Sequence, residues 1–183
     1  MDERSISNFR NMIRRRGSLM DKEIIPTSTA QQASIIIENM FNTAEKSIRI
    51  LTGGLNPRVY GTAGVIQEAA NFLSNQCTTM EIIFINPISN NKIFSHRLIN
   101  TIIHNSNFYI YRLKEDMKKD ISFHFCVVDG KTYRFKSEPH KHFSIASFGD
   151  TELAQHLENV FLTVKENSTP INKERNNQNP EAA

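Results

Sequence analysis

Apolar positions along this chain alternate between a helical rhythm and a strand rhythm. Ala33, Ile36, Ile37, Met40, Phe41 and Ala44 recur at helical spacing, and Ser28 or Thr29 stands ready as a cap. The pattern predicts an amphipathic helix over 29–45. Ser47-Ile-Arg-Ile-Leu-Thr52 reads as a short strand that ends at Gly53-Gly54. A loop through Asn56 and Arg58 to Gly61 leads to a second helix, with Val65, Ala69, Phe72 and Leu73 on one face. The unbroken apolar run from Met80 to Ile85 predicts a strand covered on both sides. After Pro87 and Asn90-Asn91, residues 92–103 look helical through Ile93, Leu98, Ile99 and Ile102, and Phe108 to Arg112 is a further strand. Residues 113–120 read as a charged loop.

The second half has a different rhythm. Ser122-Phe-His-Phe-Cys-Val-Val128 and Lys131-Thr-Tyr-Arg-Phe-Lys-Ser137 flank Asp129-Gly130, a strong hairpin signal because Gly tolerates the positive φ of a tight turn. His142 to Phe148 predicts one more strand. Gly149-Asp150 then opens a helix over 151–166 that buries Leu153, Leu157, Val160, Phe161 and Val164. Strand–helix alternation first and antiparallel strands afterwards imply an α/β fold, a mixed parallel/antiparallel sheet with helices on both faces. No internal repeat is visible.

The ends read differently from the middle. Residues 1–26 form a basic N-terminal arm containing Arg10, Arg14, Arg15 and Arg16. Ile6, Phe9, Ile13, Leu19 and Met20 give it a partial helical stripe, which Gly17 interrupts. It is either a solvated, fraying helix or an arm that docks on a partner or on phosphate. Pro26 to Thr29 reads as a linker, residues 27–167 as the folded domain, and 168–183 as a disordered tail with little to bury.

Composition changes little. The 183 residues are 39% hydrophobic and 22% charged with net charge +3, which permits nucleic-acid contact without arguing for it. No apolar run approaches the ~20 residues that span a bilayer, and the charged start is no secretory signal. Cys77 and Cys126 sit among apolar residues without metal-ligand spacing. They read as reduced packing residues of a cytoplasmic protein. His96, His104 and His156 fall on predicted helices with no metal logic and read as surface residues, so neither a metal nor another cofactor is expected.

Candidate chemistry gathers around the hairpin: His124, Arg134, Lys136, Glu138, His140, Lys141 and His142 form the densest set of acid, base and phosphate-pairing groups. Register decides what His124 can do. A strict two-residue turn pairs His124 with Phe135 and sends Arg134 to the other side. One extra residue pairs it with Lys136, on a face shared with Arg134 and Glu138. Arg134 suits phosphate or carboxylate, or else pairs with Glu138. His140 and Lys141 offer charge to an anion, or are simply exposed. Asp129 is most simply a turn residue. Asn56 stands in a glycine-rich strand-to-helix loop whose N–H groups could receive an anion.

Ile48-Arg-Ile-Leu-Thr-Gly-Gly-Leu-Asn-Pro57, the β-α-β pattern after it, and His124-Phe-Cys-Val-Val-Asp-Gly-Lys131 leading to the last helix resemble the phospholipase D-like superfamily. The resemblance covers roughly 29–166. It implies that superfamily's fold and, for a chain with one motif copy, a homodimer in which two motifs face each other. The family's active motif is His-x-Lys-x4-Asp followed by a Gly-Ser-x-Asn loop, with histidine as nucleophile and Lys and Asn on the phosphate. Counted back from Asp129, the lysine position holds His124 and the nucleophile position Ser122. Tyr133 to Lys141 stands where the Gly-Ser-x-Asn loop would follow. The resemblance therefore implies a degenerate branch. The expected function is a dimeric module that binds an anionic ligand, nucleic acid or a partner protein. The alternative is a metal-independent phosphodiesterase or nuclease using His124 as nucleophile or proton carrier.

Overall fold

The computed structural model describes residues 2–138 and 143–172. Helix α1 spans Glu3–Ser18, strand β1 Ile25–Thr27, α2 Ala30–Asn42, β2 Ser47–Thr52, α3 Pro57–Tyr60 and α4 Ala63–Leu73. After them come β3 (Thr79–Phe84), α5 (Asn90–Phe94), α6 (Arg97–Ile102), β4 (Phe108–Leu113) and a 3-10 turn over Glu115–Asp120. The hairpin strands β5 (His124–Val128) and β6 (Thr132–Lys136) precede β7 (Ser144–Ser147), α7 (Thr151–Glu166) and β8 (Ser168–Pro170).

The strands form one sheet in the order β1-β7-β6-β5-β2-β3-β4-β8. β2, β3 and β4 run parallel through helical crossovers, and the remaining pairings are antiparallel. This is the mixed sheet the alternation predicts. One face carries Ile48, Ile50, Met80, Ile82, Cys126 and Val128, covered by the stripe Ile36, Ile37, Met40 and Phe41 of α2 and by α4 and α6. The other face carries Leu51, Ile83, Phe125, Val127 and Tyr133 against Leu157 and Phe161 of α7, with Leu153 and Val160 half-buried beside them. Alternation along each strand feeds both cores. No helix among the described residues is long and apolar enough to cross a membrane.

Several elements differ from the sequence expectation. Gly17 does not break α1. It lets the helix lie against α2, because a Cβ there would come within 2.2 Å of Asn39 Oδ1. Ile13 is fully buried in that contact, Arg10 pairs with Glu38, and Arg16 pairs with Asp21 and Glu23. The expected linker is edge strand β1, its Thr27 Oγ1 hydrogen-bonded to Ser144 Oγ at 2.6 Å. The expected helix over 92–103 is two short helices, with His96 at the cap of the second. At the other end β8 pairs with β4 and Ile171 joins the core, so order continues past 168. Cys77 is exposed, unlike buried Cys126.

The hairpin takes the register with one extra residue. Asp129 and Gly130 both have positive φ (54° and 60°), and Lys131 N–H donates to Val128 O at 3.0 Å. Lys131 is the added residue, so Val128 pairs with Thr132 and His124 with Lys136. Asp129 does more than turn the chain. Its carboxylate accepts the N–H groups of Glu45, Lys46 and Ser47 at 2.8, 2.8 and 2.7 Å, tying the turn to the entry of β2. Asp129→Ala removes a charged acceptor from three donors and places an unfavourable residue at positive φ. We expect a loss of at least about 2 kcal/mol, read by urea denaturation, because one hydrogen bond to a charged group contributes about 1.5–3 kcal/mol and solvent screening at this partly exposed carboxylate reduces the sum over three. An unchanged midpoint would refute the tie.

Candidate anion site at the strand ends

The clamp at Asp129 fixes β5 against β2, with Leu51 opposite Phe125. His124, one residue further, therefore arrives at the carboxyl end of β2, where the chain turns through Gly53-Gly54. Gly53 N–H donates to His124 Nε2 at 3.0 Å. A nitrogen that accepts carries no proton, so this bond assigns the neutral tautomer with hydrogen on Nδ1. A Cβ on Gly53 would lie 2.7 Å from Asn86 Nδ2 and 2.9 Å from His124 Nε2. Glycine is needed here for close approach. Asn86, which follows β3, thereby stands exposed beside His124.

Across the hairpin, Lys136 pairs with His124 and Arg134 with Cys126, which puts all four on one face. Arg134 Nη2 donates to Ser144 Oγ at 2.9 Å, and its guanidinium faces the buried Tyr60 hydroxyl. Burial raises the Tyr60 pKa, and Arg134 only partly opposes it. Burial pushes the Cys126 thiol up to about 12 against the same opposing charge. Lys136 is lowered from 10.5 by burial first and by the neighbouring Arg134 second. Two cations and an imidazole thus share one sheet face, His124 and Lys136 at the end of the β5–β6 ladder and Arg134 in its middle. Such an arrangement can receive an anion, with Arg134 and Lys136 supplying charge and Asn86 a neutral donor.

The other expected site residues are distributed unevenly. Glu138 is exposed just past β6, and Arg134 takes Ser144 as its partner. Asn56 caps α3, its side-chain oxygen accepting Arg58 N–H at 2.9 Å. His140 and Lys141, with His142, lie outside the described residues. His96, expected on the surface, is half-buried: both ring nitrogens are buried without a protein partner among the described residues, and burial lowers its pKa from 6.5. Sequence reasoning passed over Asn86, whose one signal is its place after an apolar strand and before Pro87. No group of three His, Cys, Asp or Glu side chains that could hold a metal ion occurs among the described residues.

Residues 29–176 match the family described as a domain of unknown function, DUF7931. The chain belongs to that family. No curated protein matches it significantly. Among solved structures, NucT from Helicobacter pylori aligns with TM-score 0.56 at 12% identity, over 81% of this chain and 100% of that one. Nuc from Salmonella typhimurium, a phospholipase D family member, gives 0.51 at 11% over 81% and 99%. TrmBL2, an archaeal chromatin protein with a novel mode of DNA binding, gives 0.58 at 8% over 92% and 63%. At these identities the likeness is one of fold. This DUF7931 chain has a phospholipase D-like fold, as its sequence pattern implied.

Two measurements follow from the burial of these groups. In the folded protein Cys77 should react promptly with a thiol reagent, and Cys126 only after denaturation. Two fast thiols would contradict the described burial. For His96, a folded pKa below 6.5 means the unfolded chain binds the proton first, so stability is full above about pH 6.5 and falls on acidification. His96→Leu should flatten the drop in melting temperature between pH 7.5 and 5.5. An equal drop in both proteins would assign the acid sensitivity elsewhere.

Proposed function

We propose that this protein is a non-catalytic phospholipase D-like module that works as a homodimer and binds an anionic, phosphate-bearing ligand. The observation that supports this reading is the bond from Gly53 N–H to His124 Nε2, which engages the lone pair a nucleophilic imidazole would need. Ser122 stands at the family's nucleophile position and His124 at its lysine position, so the established phosphate clamp is not reproduced. Arg134 and Lys136 retain the charge for binding, and His140 and Lys141 are proposed to add to it. DNA binding by one structural neighbour makes nucleic acid the ligand to test first, with a partner protein as the other outcome. Pairing through the hairpin end would bring two such corners together across a twofold axis. Two free cysteines suit a cytoplasmic setting.

Purified protein should show no EDTA-resistant hydrolysis of nucleic acid or of an aryl phosphodiester, while His124→Ala changes ligand affinity only. EDTA-resistant cleavage that disappears in folded His124→Ala would make the protein a phosphodiesterase instead. A general acid–base role alone is worth about 10²–10⁴-fold, so the loss would be plain. Binding to single- or double-stranded DNA should weaken steeply with salt, because neutralised phosphates release counterions. Replacing Arg134 and Lys136 by Gln should flatten that slope. Sedimentation at micromolar concentration should give a dimer, and a monomer would remove the twofold element of the proposal.

A further inference from the structure

A cavity of about 700 Å³ opens beside the His124 corner and shares Gly53 and Asn86 with it. Phe84, Leu55 and Ile93 supply apolar wall, each buried in the core. Asn86, Ser95 and the exposed Lys92 and Arg97 interrupt that wall with polar groups. Arg112, at the end of β4, holds the loop between β3 and α5 in place. Its Nη2 donates to Ile88 O at 2.7 Å and to Asn90 Oδ1 at 2.8 Å. The wall formed by Ile88 is thereby anchored by a charged side chain from a neighbouring strand.

We infer that this cavity receives the organic part of the phosphate ester, and that this part is a heteroaromatic ring of nucleobase size. The inference rests on the anion-site reading above. An acyl chain would place Asn86, Ser95 and Lys92 against hydrocarbon and lose their hydration without replacement. A sugar alone would leave Phe84, Leu55 and Ile93 facing a hydroxylated surface. A flat ring with a polar edge satisfies both kinds of wall. Its faces meet the apolar side chains, its edge meets the Asn86 amide, and Arg97 can lie across its π-face. The shared residues Gly53 and Asn86 put the ring next to the phosphate position.

Titration of the isotope-labelled full chain, followed by NMR at low salt, tests this with five probes: inorganic phosphate, glycerol 3-phosphate, adenosine, adenosine 5′-monophosphate and a short-chain phosphatidic acid. Adenosine monophosphate should bind at least tenfold more tightly than glycerol 3-phosphate, with shifts at Asn86 and Ile93. Ser95→Trp, which fills the cavity from its exposed side, should erase that advantage and leave glycerol 3-phosphate binding unchanged. Equal affinity for those two probes, an advantage that survives Ser95→Trp, or tighter binding of the phosphatidic acid would overturn the inference while leaving the anion site standing. Adenosine binding as well as its monophosphate, with no response to inorganic phosphate, would keep the cavity and remove the anion site. Silence from all five probes would remove both.

Discussion

The structure depends on one carboxylate. Asp129 accepts three successive N–H groups at the entry of β2 while its own backbone turns the β5–β6 hairpin. Without that clamp the hairpin could slide along β2, and a slip of one residue would exchange the two faces of β5. Cys126 and Val128 would then face α7, and Phe125 and Val127 the larger core. Because both faces are buried, the clamp and the packing enforce the same register. The position of His124 at the end of β2 is a consequence of that register.

The two faces are held by different means. The α2, α4 and α6 face is apolar throughout the sheet centre. The α7 face carries charge within it. Glu81 is almost wholly buried, lies 3.3 Å from Arg49 Nε, accepts from Lys165 and receives the Tyr111 hydroxyl at 3.3 Å. Arg49 also pairs with Glu158, and Lys165 lies over the Tyr111 ring. Isolated buried charges would be costly, but each here has an opposite partner, and the partners come from α7 and from three sheet positions. The network ties α7 in one orientation. It lies on the face opposite the candidate site and leaves that site's cations to other partners.

The candidate site draws its polar groups from the points where β2 and β3 end and from the paired ladder of β5 and β6 on the same face. β2 contributes Gly53, β3 Asn86, β5 His124 and β6 Arg134 and Lys136. Parallel strands end together, so residues far apart in the chain are gathered at one edge. The same geometry makes the adjoining cavity, since the loops that leave β2 and β3 must bridge outward to their helices.

The sequence by itself determined the alternation of elements, the stripes of α2 and α7, the mixed sheet and the hairpin turn. Each is a local property: periodicity, a cap, or a pair of residues that tolerate positive φ. It also singled out His124 and Arg134 as residues of one cluster. Tertiary structure alone decided what depends on distant contacts. The extra residue at Lys131 is set by the pairing of Val128 with Thr132 beyond the tight turn, a register that no local pattern specifies. Gly17 reads as a helix breaker until Asn39 is placed against it. Pro26 and Ser168 read as linker and tail until β7 and β4 offer them an edge. Asn86 and the engaged Nε2 of His124 were invisible for the same reason, since what brings them together is Gly53, a residue some thirty positions from one and seventy from the other.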